Sequence, residues 1–263
     1  MRPSWRRELC SWLTRRHSLG VEASLVVALY LAYDVARGLA ANDADVAVAH
    51  ARTVASLERT AHVFVEGTIQ RAAQAVPGLI GSLDLAYVSL HLAVTGSVLL
   101  WLHRRRPNVF PFVRTTLLVA SGLALIGFVV FPTAPPRLAA LGIADTISGS
   151  HLNLNHGLVS SLYNPYAAVP SMHIGYALVV GAVLLRQGRA GIVRFLGVVY
   201  PVIVLFVVVA TGNHFLFDAA AGAATAAFAA AVAFCITRAA GAQAVVRLAD
   251  PQLATPAHEA LAA

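Results

Sequence analysis

The chain has 263 residues, 58% of them hydrophobic and only 12% charged, whereas a soluble domain carries about a quarter charged residues. With a mean hydropathy of +0.72 there is too little polar surface to solvate a globule, which excludes a soluble enzyme, a disordered chain and a collagen-like fibre and points to a polytopic membrane protein. The net charge is +7 and all 19 basic residues are arginine; they form no single stripe, so membrane topology accounts for them better than nucleic-acid binding does.

In chain order, residues 1–19 are a basic tail holding Arg2, Arg6, Arg7, Arg15 and Arg16. It looks like the start of a secretory signal, but the apolar stretch after it is too long and no small-residue cleavage site is evident, so an uncleaved first span is expected. Crossing the hydrocarbon core takes about 20 apolar residues. Six segments qualify, near 20–40, 79–101, 112–131, 168–185, 193–211 and 214–237. Between the first two, residues 41–78 place Val54, Leu57, Ala61, Phe64, Ile69, Ala72 and Val76 close to helical period, with Arg52, Glu58, Arg59 and Arg71 at other positions. That pattern predicts an amphipathic helix lying on the outer interface or capping the bundle. The expected fold is all-α: one membrane domain over 20–238 with six transmembrane helices plus this outward-facing amphipathic segment. Residues 239–263, rich in alanine with Pro251 and Pro256, read as a mobile cytoplasmic tail. Cys10 and Cys235 show neither metal spacing nor a disulfide framework, and there is no internal repeat.

Arginine placement sets the expected orientation. Fourteen arginines fall in the first tail, around the 102–111 and 186–194 loops, and after the last span, against five (Arg37, Arg52, Arg59, Arg71, Arg137) on the other side. The positive-inside rule then puts both termini in the cytoplasm of a cell-membrane protein, with segments 41–78 and 132–167 facing outward.

Three patches with chemical potential meet on that outer side. The run F-P-T-A-P-P-R at 131–137 holds the backbone extended and ends in Arg137, whose guanidinium fork suits a phosphate; alone it reads as a surface turn. The run N-P-Y-A-A-V-P-S-M-H at 164–173 opens the fourth span. Pro170 there suits a first helical turn, which leaves the N–H groups of Ser171, Met172 and His173 to bind an anion, with His173 able to donate a proton; the bland alternative is a capped helix with an interfacial histidine. The run T-G-N-H-F-L-F-D at 211–218 puts His214 and Asp218 four apart, on one helix face. A carboxylate bonded to one imidazole nitrogen fixes the tautomer and makes the other a better nucleophile or base; a structural polar pair is the alternative. Two histidines, an arginine, a helix N-terminus and a His–Asp pair on one membrane face suggest phosphoryl transfer: one histidine attacks phosphorus, the other protonates the leaving oxygen, and arginine and amides hold the charge. No metal or cofactor is required. Glycoside hydrolysis fits poorly, because no carboxylate pair stands out.

P-S-M-H followed by G-N-H-F-L-F-D resembles the type 2 phosphatidic acid phosphatase superfamily. The A-P-P-R loop and the N-P-Y-A-A-V-P-S-M-H run look like its inositol phosphorylceramide synthase-like (inositolphosphotransferase) branch. The resemblance spans roughly residues 54–225 and takes in Glu58, Glu66, Tyr87, His91 and the H-R-R-R-P turn. It implies His214 as nucleophile, Asp218 as its orienter, His173 as general acid and Arg137 as a phosphate ligand. The chain departs from the wider superfamily in having no lysine at all and in carrying Val208 six residues before His214, where an arginine is usual. Arg106-Pro107 imitates the end of the superfamily's first motif but lies on the cytoplasmic side of the expected topology, so it is read as a decoy.

Asp84, Tyr87 and His91 fall at i, i+3 and i+7 on the second span and line one face, either as part of the pocket or as an interhelical hydrogen-bond cluster. Ser171, Asn164 and Tyr166 are expected to shape the phosphate or headgroup site, and Asp145 to orient Arg137. His151 and His156 are expected to play no catalytic part. The resulting expectation is a lipid phosphatase or phosphotransferase acting on a lipid phosphate or phospholipid, with no nucleic-acid partner. The alternatives are a transporter using the His/Asp cluster, an intramembrane serine hydrolase using Ser171 and His214, and a zinc site from His173, His214 and Asp218. Alanine and glycine at 219–224 predict close packing of the sixth span; oligomeric state is not legible.

Overall fold

The computed structural model describes residues 17–39, 44–148 and 165–249, which form eight helices and no strand. They are α1 (Leu19–Leu39), α2 (Ala44–Thr60), α3 (Glu66–Gln74), α4 (Leu79–Arg105), α5 (Phe110–Val130), α6 (Met172–Gln187), α7 (Gly191–Ala210) and α8 (Leu216–Ala249). Among the described residues, four stretches are long and apolar enough to cross a membrane: Leu79–Arg105, Phe110–Val130, Gly191–Ala210 and Leu216–Arg238. Six were expected. The apolar parts of the other two, Leu19–Ala32 and Met172–Gln187, are shorter. In α6 the reason is local. The chain is extended at Ser171, the N-cap, so the helix starts at Met172 and has 16 residues, about 24 Å of rise against a hydrocarbon core of about 30 Å.

Segment 41–78 also differs from the single amphipathic helix expected. It is two helices, α2 and α3, broken by a turn in which His62 has a positive φ of 57°. Its buried face is shifted as well, although Val54 is buried as expected. Leu57 is 56% exposed, while Glu58, assigned by period to the polar face, is 4% exposed. Ala47, Ala51, Val54 and Ala55 pack with Ala134, Ala139 and Phe215, and these small side chains let α2 lie close over the proline loop. The Ala134 amide donates to the Ala47 carbonyl at 3.0 Å, and the His50 ring donates from Nδ1 to the Pro132 carbonyl at 2.7 Å.

Bundle packing depends on close backbone approach. A Cβ added to Gly181 in α6 would stand 2.5 Å from the Gly197 carbonyl oxygen and 2.8 Å from Pro201 Cγ in α7. At Gly222 in α8 an added Cβ would collide with the Ser171 carbonyl, so the close packing expected from the 219–224 stretch is present. Toward the other end of the bundle, Arg114 in the first turns of α5 is buried against Glu22 of α1, with its guanidinium over the Phe110 ring. Arg106 donates to the main-chain carbonyl of Gln187, the last residue of α6, so it lies a full helix length from His173.

Candidate active site

The centre of the site is the junction between α7 and α8. Helix α7 ends at Ala210, and Gly212 turns the chain with a φ of 66°, a conformation that glycine adopts without Cβ strain. An added Cβ there would also press on Ile143 and Arg137. The amides of Asn213 and His214 both donate to the Val208 carbonyl, at 3.0 and 3.1 Å, which closes the turn and aims His214 inward. His214 precedes α8 rather than sharing a helix face with Asp218, and its Nδ1 meets Asp218 Oδ2, in the first turn of α8, at 3.2 Å. The same Oδ2 accepts the Phe215 amide at 2.9 Å. Both side chains are buried. An acceptor-only carboxylate on Nδ1 places the proton there and leaves the Nε2 lone pair outward.

His173, in the first turn of α6, faces this pair with ring centroids 5.7 Å apart. Its Nε2 donates to the Tyr87 main-chain carbonyl at 3.2 Å. The Tyr87 ring stacks on it at 4.4 Å and the His91 ring meets it edge-on at 4.2 Å. The α4 face seen in the sequence therefore wraps His173. Its third member, Asp84, accepts a hydrogen bond from Thr146 Oγ1 at 2.8 Å.

The two halves of the site are stitched through main chain. The Ser171 amide donates to the Asp218 carbonyl at 3.0 Å. That corrects the expectation of three free amides, because Ser171 caps the helix instead of opening it and its N–H is already used. Pro170 accordingly precedes the helix, joined to Val169 by a cis peptide bond. Ser171 is fully buried, yet its Oγ has no hydrogen-bond partner, so it bonds to neither histidine.

Arg137 enters from the proline loop. Its amide donates to the Gly212 carbonyl at 3.0 Å, its Nε donates to Asn213 Oδ1 at 3.0 Å, and its Nη1 donates to Asp145 Oδ1 at 2.9 Å. Burial pushes the Asp145 carboxyl up. Hydrogen bonds from the Ser148 side chain and amide, with the charge of Arg137, outweigh that and hold it below the usual carboxylate range. Gln70 of α3 clamps the same loop, donating to the Ala144 carbonyl at 2.9 Å and accepting the Ala144 amide at 2.7 Å. Tyr166 contributes mainly backbone: its carbonyl accepts the Thr133 amide at 2.8 Å, and its side chain packs on the α2 cluster. Asn164, His151 and His156 lie outside the described residues.

Two groups that the spacing did not single out as site residues are the carboxylates of Glu58 and Glu66. Glu66 Oε1 accepts the Leu216 amide at 3.1 Å and Glu58 Oε1 accepts the Phe217 amide at 2.7 Å. Asn213 was also missed, although it stands inside the G-N-H run. Among the described residues no group of three or more His, Cys, Asp or Glu side chains is placed to hold a metal ion.

The apolar helices thus bury a His–Asp pair opposite a second histidine, beside an arginine whose side chain bonds Asn213, Asp145 and Ser148. The PAP2 superfamily model matches residues 52–232, and the chain belongs to the PAP2 superfamily. No curated protein and no solved structure matches the chain. Membership makes this a phosphatase-type enzyme whose chemistry is on phosphate esters, in the phosphatase or phosphotransferase class.

Proposed function

We propose that the chain is a lipid phosphatase or phosphotransferase that works through a phosphohistidine on His214. The observation that carries this is the His214 Nδ1 contact with Asp218 at 3.2 Å, because it leaves Nε2 as the nucleophilic nitrogen of a pre-oriented ring. In the first step Nε2 of His214 bonds to phosphorus as the phosphorus–oxygen bond to the leaving group breaks. His173 gives that oxygen its proton. It delivers from Nδ1, since Nε2 is committed to the Tyr87 carbonyl. In the second step water or an alcohol bonds to phosphorus, the phosphorus–nitrogen bond breaks, and the attacking oxygen's proton passes to His173. Arg137 holds the phosphoryl oxygens in place of the lysine and arginine this chain lacks, with Asp145 and Asn213 orienting its fork. The buried, unpartnered Ser171 Oγ supports a further donor to the same oxygens.

The site works without a metal. It faces outward at headgroup level in a six-span protein with both termini in the cytoplasm, as the arginine asymmetry supports. The substrate is a lipid phosphate or phosphodiester. The motif order supports the inositol phosphorylceramide synthase-like branch, in which an inositol-like hydroxyl resolves the intermediate. The test is purified wild-type and His214→Ala protein in detergent with EDTA. Each receives a panel of lipid phosphates and phosphatidylinositol, with and without an alcohol acceptor. Released phosphate and lipid products are then measured by mass spectrometry. Turnover that vanishes in His214→Ala supports the reading. Undiminished turnover in that variant overturns it.

A further inference from the structure

The first turn of α8 carries Asp218, and each of its opening amides ends on a carboxylate. Phe215 N–H goes to Asp218, Leu216 N–H to Glu66 and Phe217 N–H to Glu58. A helix N-terminus with its dipole and unbonded amides welcomes one negative charge. Three carboxylates in one buried turn exceed that. Glu58 and Glu66 are both buried, and each keeps one oxygen, Oε2, with no hydrogen-bond partner. The two carboxyl groups accept from the successive amides of Leu216 and Phe217, so they are neighbours in this turn. Two neighbouring carboxylates out of water repel strongly, and one proton between them removes the repulsion. The charged groups acting on Glu58 are Glu66 from α3 and Asp218 from α8, both acidic. The nearby cations are turned elsewhere: Arg59 lies over the Phe64 ring, and Arg137 is engaged by Asn213 and Asp145.

We infer that Glu58 and Glu66 hold a single proton between them and act as positioning residues, a protonated double cap that fixes the α8 first turn so that Asp218 stays in register with His214. This rests on the reading of His214 as the nucleophile for its catalytic consequence, but not for the proton itself. Burial is the main reason the Glu58 carboxyl is pushed up to about 8, with the Glu66 hydrogen bond and charge adding to it and the Phe217 amide opposing it. Because the folded state binds this proton more tightly than the unfolded chain does, the stabilisation is complete below the ordinary glutamate range. It is lost as pH rises through about 8.

The test compares wild type, Glu58→Gln, Glu66→Gln, Glu58→Ala and His214→Ala in detergent between about pH 6 and pH 9. Infrared difference spectra report the protonated carboxyl, thermal melts report stability, and kcat is measured alongside. The expected wild type shows a protonated-carboxyl band that disappears with a midpoint about one unit either side of pH 8, together with a falling melting temperature. Glu58→Gln, which keeps the capping oxygen and supplies a permanent donor, lacks that band and its pH-linked melting shift, and Glu66→Gln, which leaves Glu58 buried but puts a donor beside it, moves the midpoint to lower pH. Glu58→Ala lowers kcat by roughly tenfold, an order of magnitude of lost positioning, and Glu58→Gln recovers most of it. A wild type and glutamine variants with identical bands, or melting curves that fall in parallel with pH, would overturn the inference. His214→Ala keeps the band whether or not it keeps turnover, so failure of the shared proton and failure of the nucleophile assignment are read separately.

Discussion

His214 Nδ1, just before α8, and Asp218 Oδ2, in its first turn, stand 3.2 Å apart, and the carbonyl of the same Asp218 accepts the amide of Ser171 at 3.0 Å. One residue therefore orients the ring of one motif and anchors the backbone of the other. Asp218→Asn keeps the shape but offers Nδ1 an ambiguous partner that can stabilise the wrong tautomer. The expected result is a drop in kcat of about 10³-fold or more, with KM little changed. Acid quench of wild type with a labelled phosphate ester should trap an acid-labile, alkali-stable phosphoenzyme. His214→Ala should trap none.

The proposed general-acid role of His173 makes its importance depend on the leaving group. His173→Asn should lower kcat by about 10²- to 10⁴-fold on an alkyl phosphate. The loss should shrink to a few-fold on an aryl phosphate, whose leaving oxygen needs no proton. Equal losses on both would assign His173 to binding instead. Stacking against Tyr87 at 4.4 Å predicts that Tyr87→Ala mimics part of the effect through ring disorder.

Arg137 is aimed by two partners from different loops, Asn213 and Asp145. A lysine cannot reproduce a fork that bonds both. Arg137→Lys should lower kcat/KM by about tenfold to a hundredfold, each tenfold being about 1.4 kcal/mol. Asp145 is held below its ordinary value, so its ion pair is intact above the usual carboxylate range and is lost only as pH falls beneath it. The Arg137–Asp145 pair should consequently add no step of its own to the pH profile of KM above the ordinary carboxylate range in wild type. Asp145→Asn should raise KM across the whole range.

Gly222 lies where α8 passes the Ser171 carbonyl with no room for a Cβ. Gly222→Ala should push the cap of α6 away and break the Ser171–Asp218 main-chain bond. The expected destabilisation is about 1–3 kcal/mol, seen as a lower melting temperature with reduced turnover. Gly96, whose added Cβ would meet nothing within 4 Å, is the control. Gly96→Ala should melt at or slightly above the wild-type temperature, since alanine is the better helix former.

What the sequence determined by itself was whatever chain-local rules govern. The long apolar runs of α4, α5, α7 and α8 are set by composition. The four-residue spacing of His214 and Asp218 keeps the two close, although not on one helix as the spacing suggests: His214 precedes α8, and Asp218 in the first turn reaches back to it and to the Phe215 amide. Tyr87 and His91, at the same spacing within α4, do share a helix face. Tertiary structure decided the rest, because burial of a polar side chain depends on which distant group supplies its partner. Glu58 looks like the polar face of a surface helix, yet it turns inward because an amide 159 residues away, at Phe217, needs an acceptor; Glu66 does the same for Leu216, 150 residues away. Satisfying those amides inside an apolar bundle outweighs the period of the hydrophobic pattern, leaving Leu57 exposed and Glu58 buried. The start of α6 follows the same logic: the N–H of Ser171 is drawn to the Asp218 carbonyl, and no rule internal to 164–173 could announce that bond.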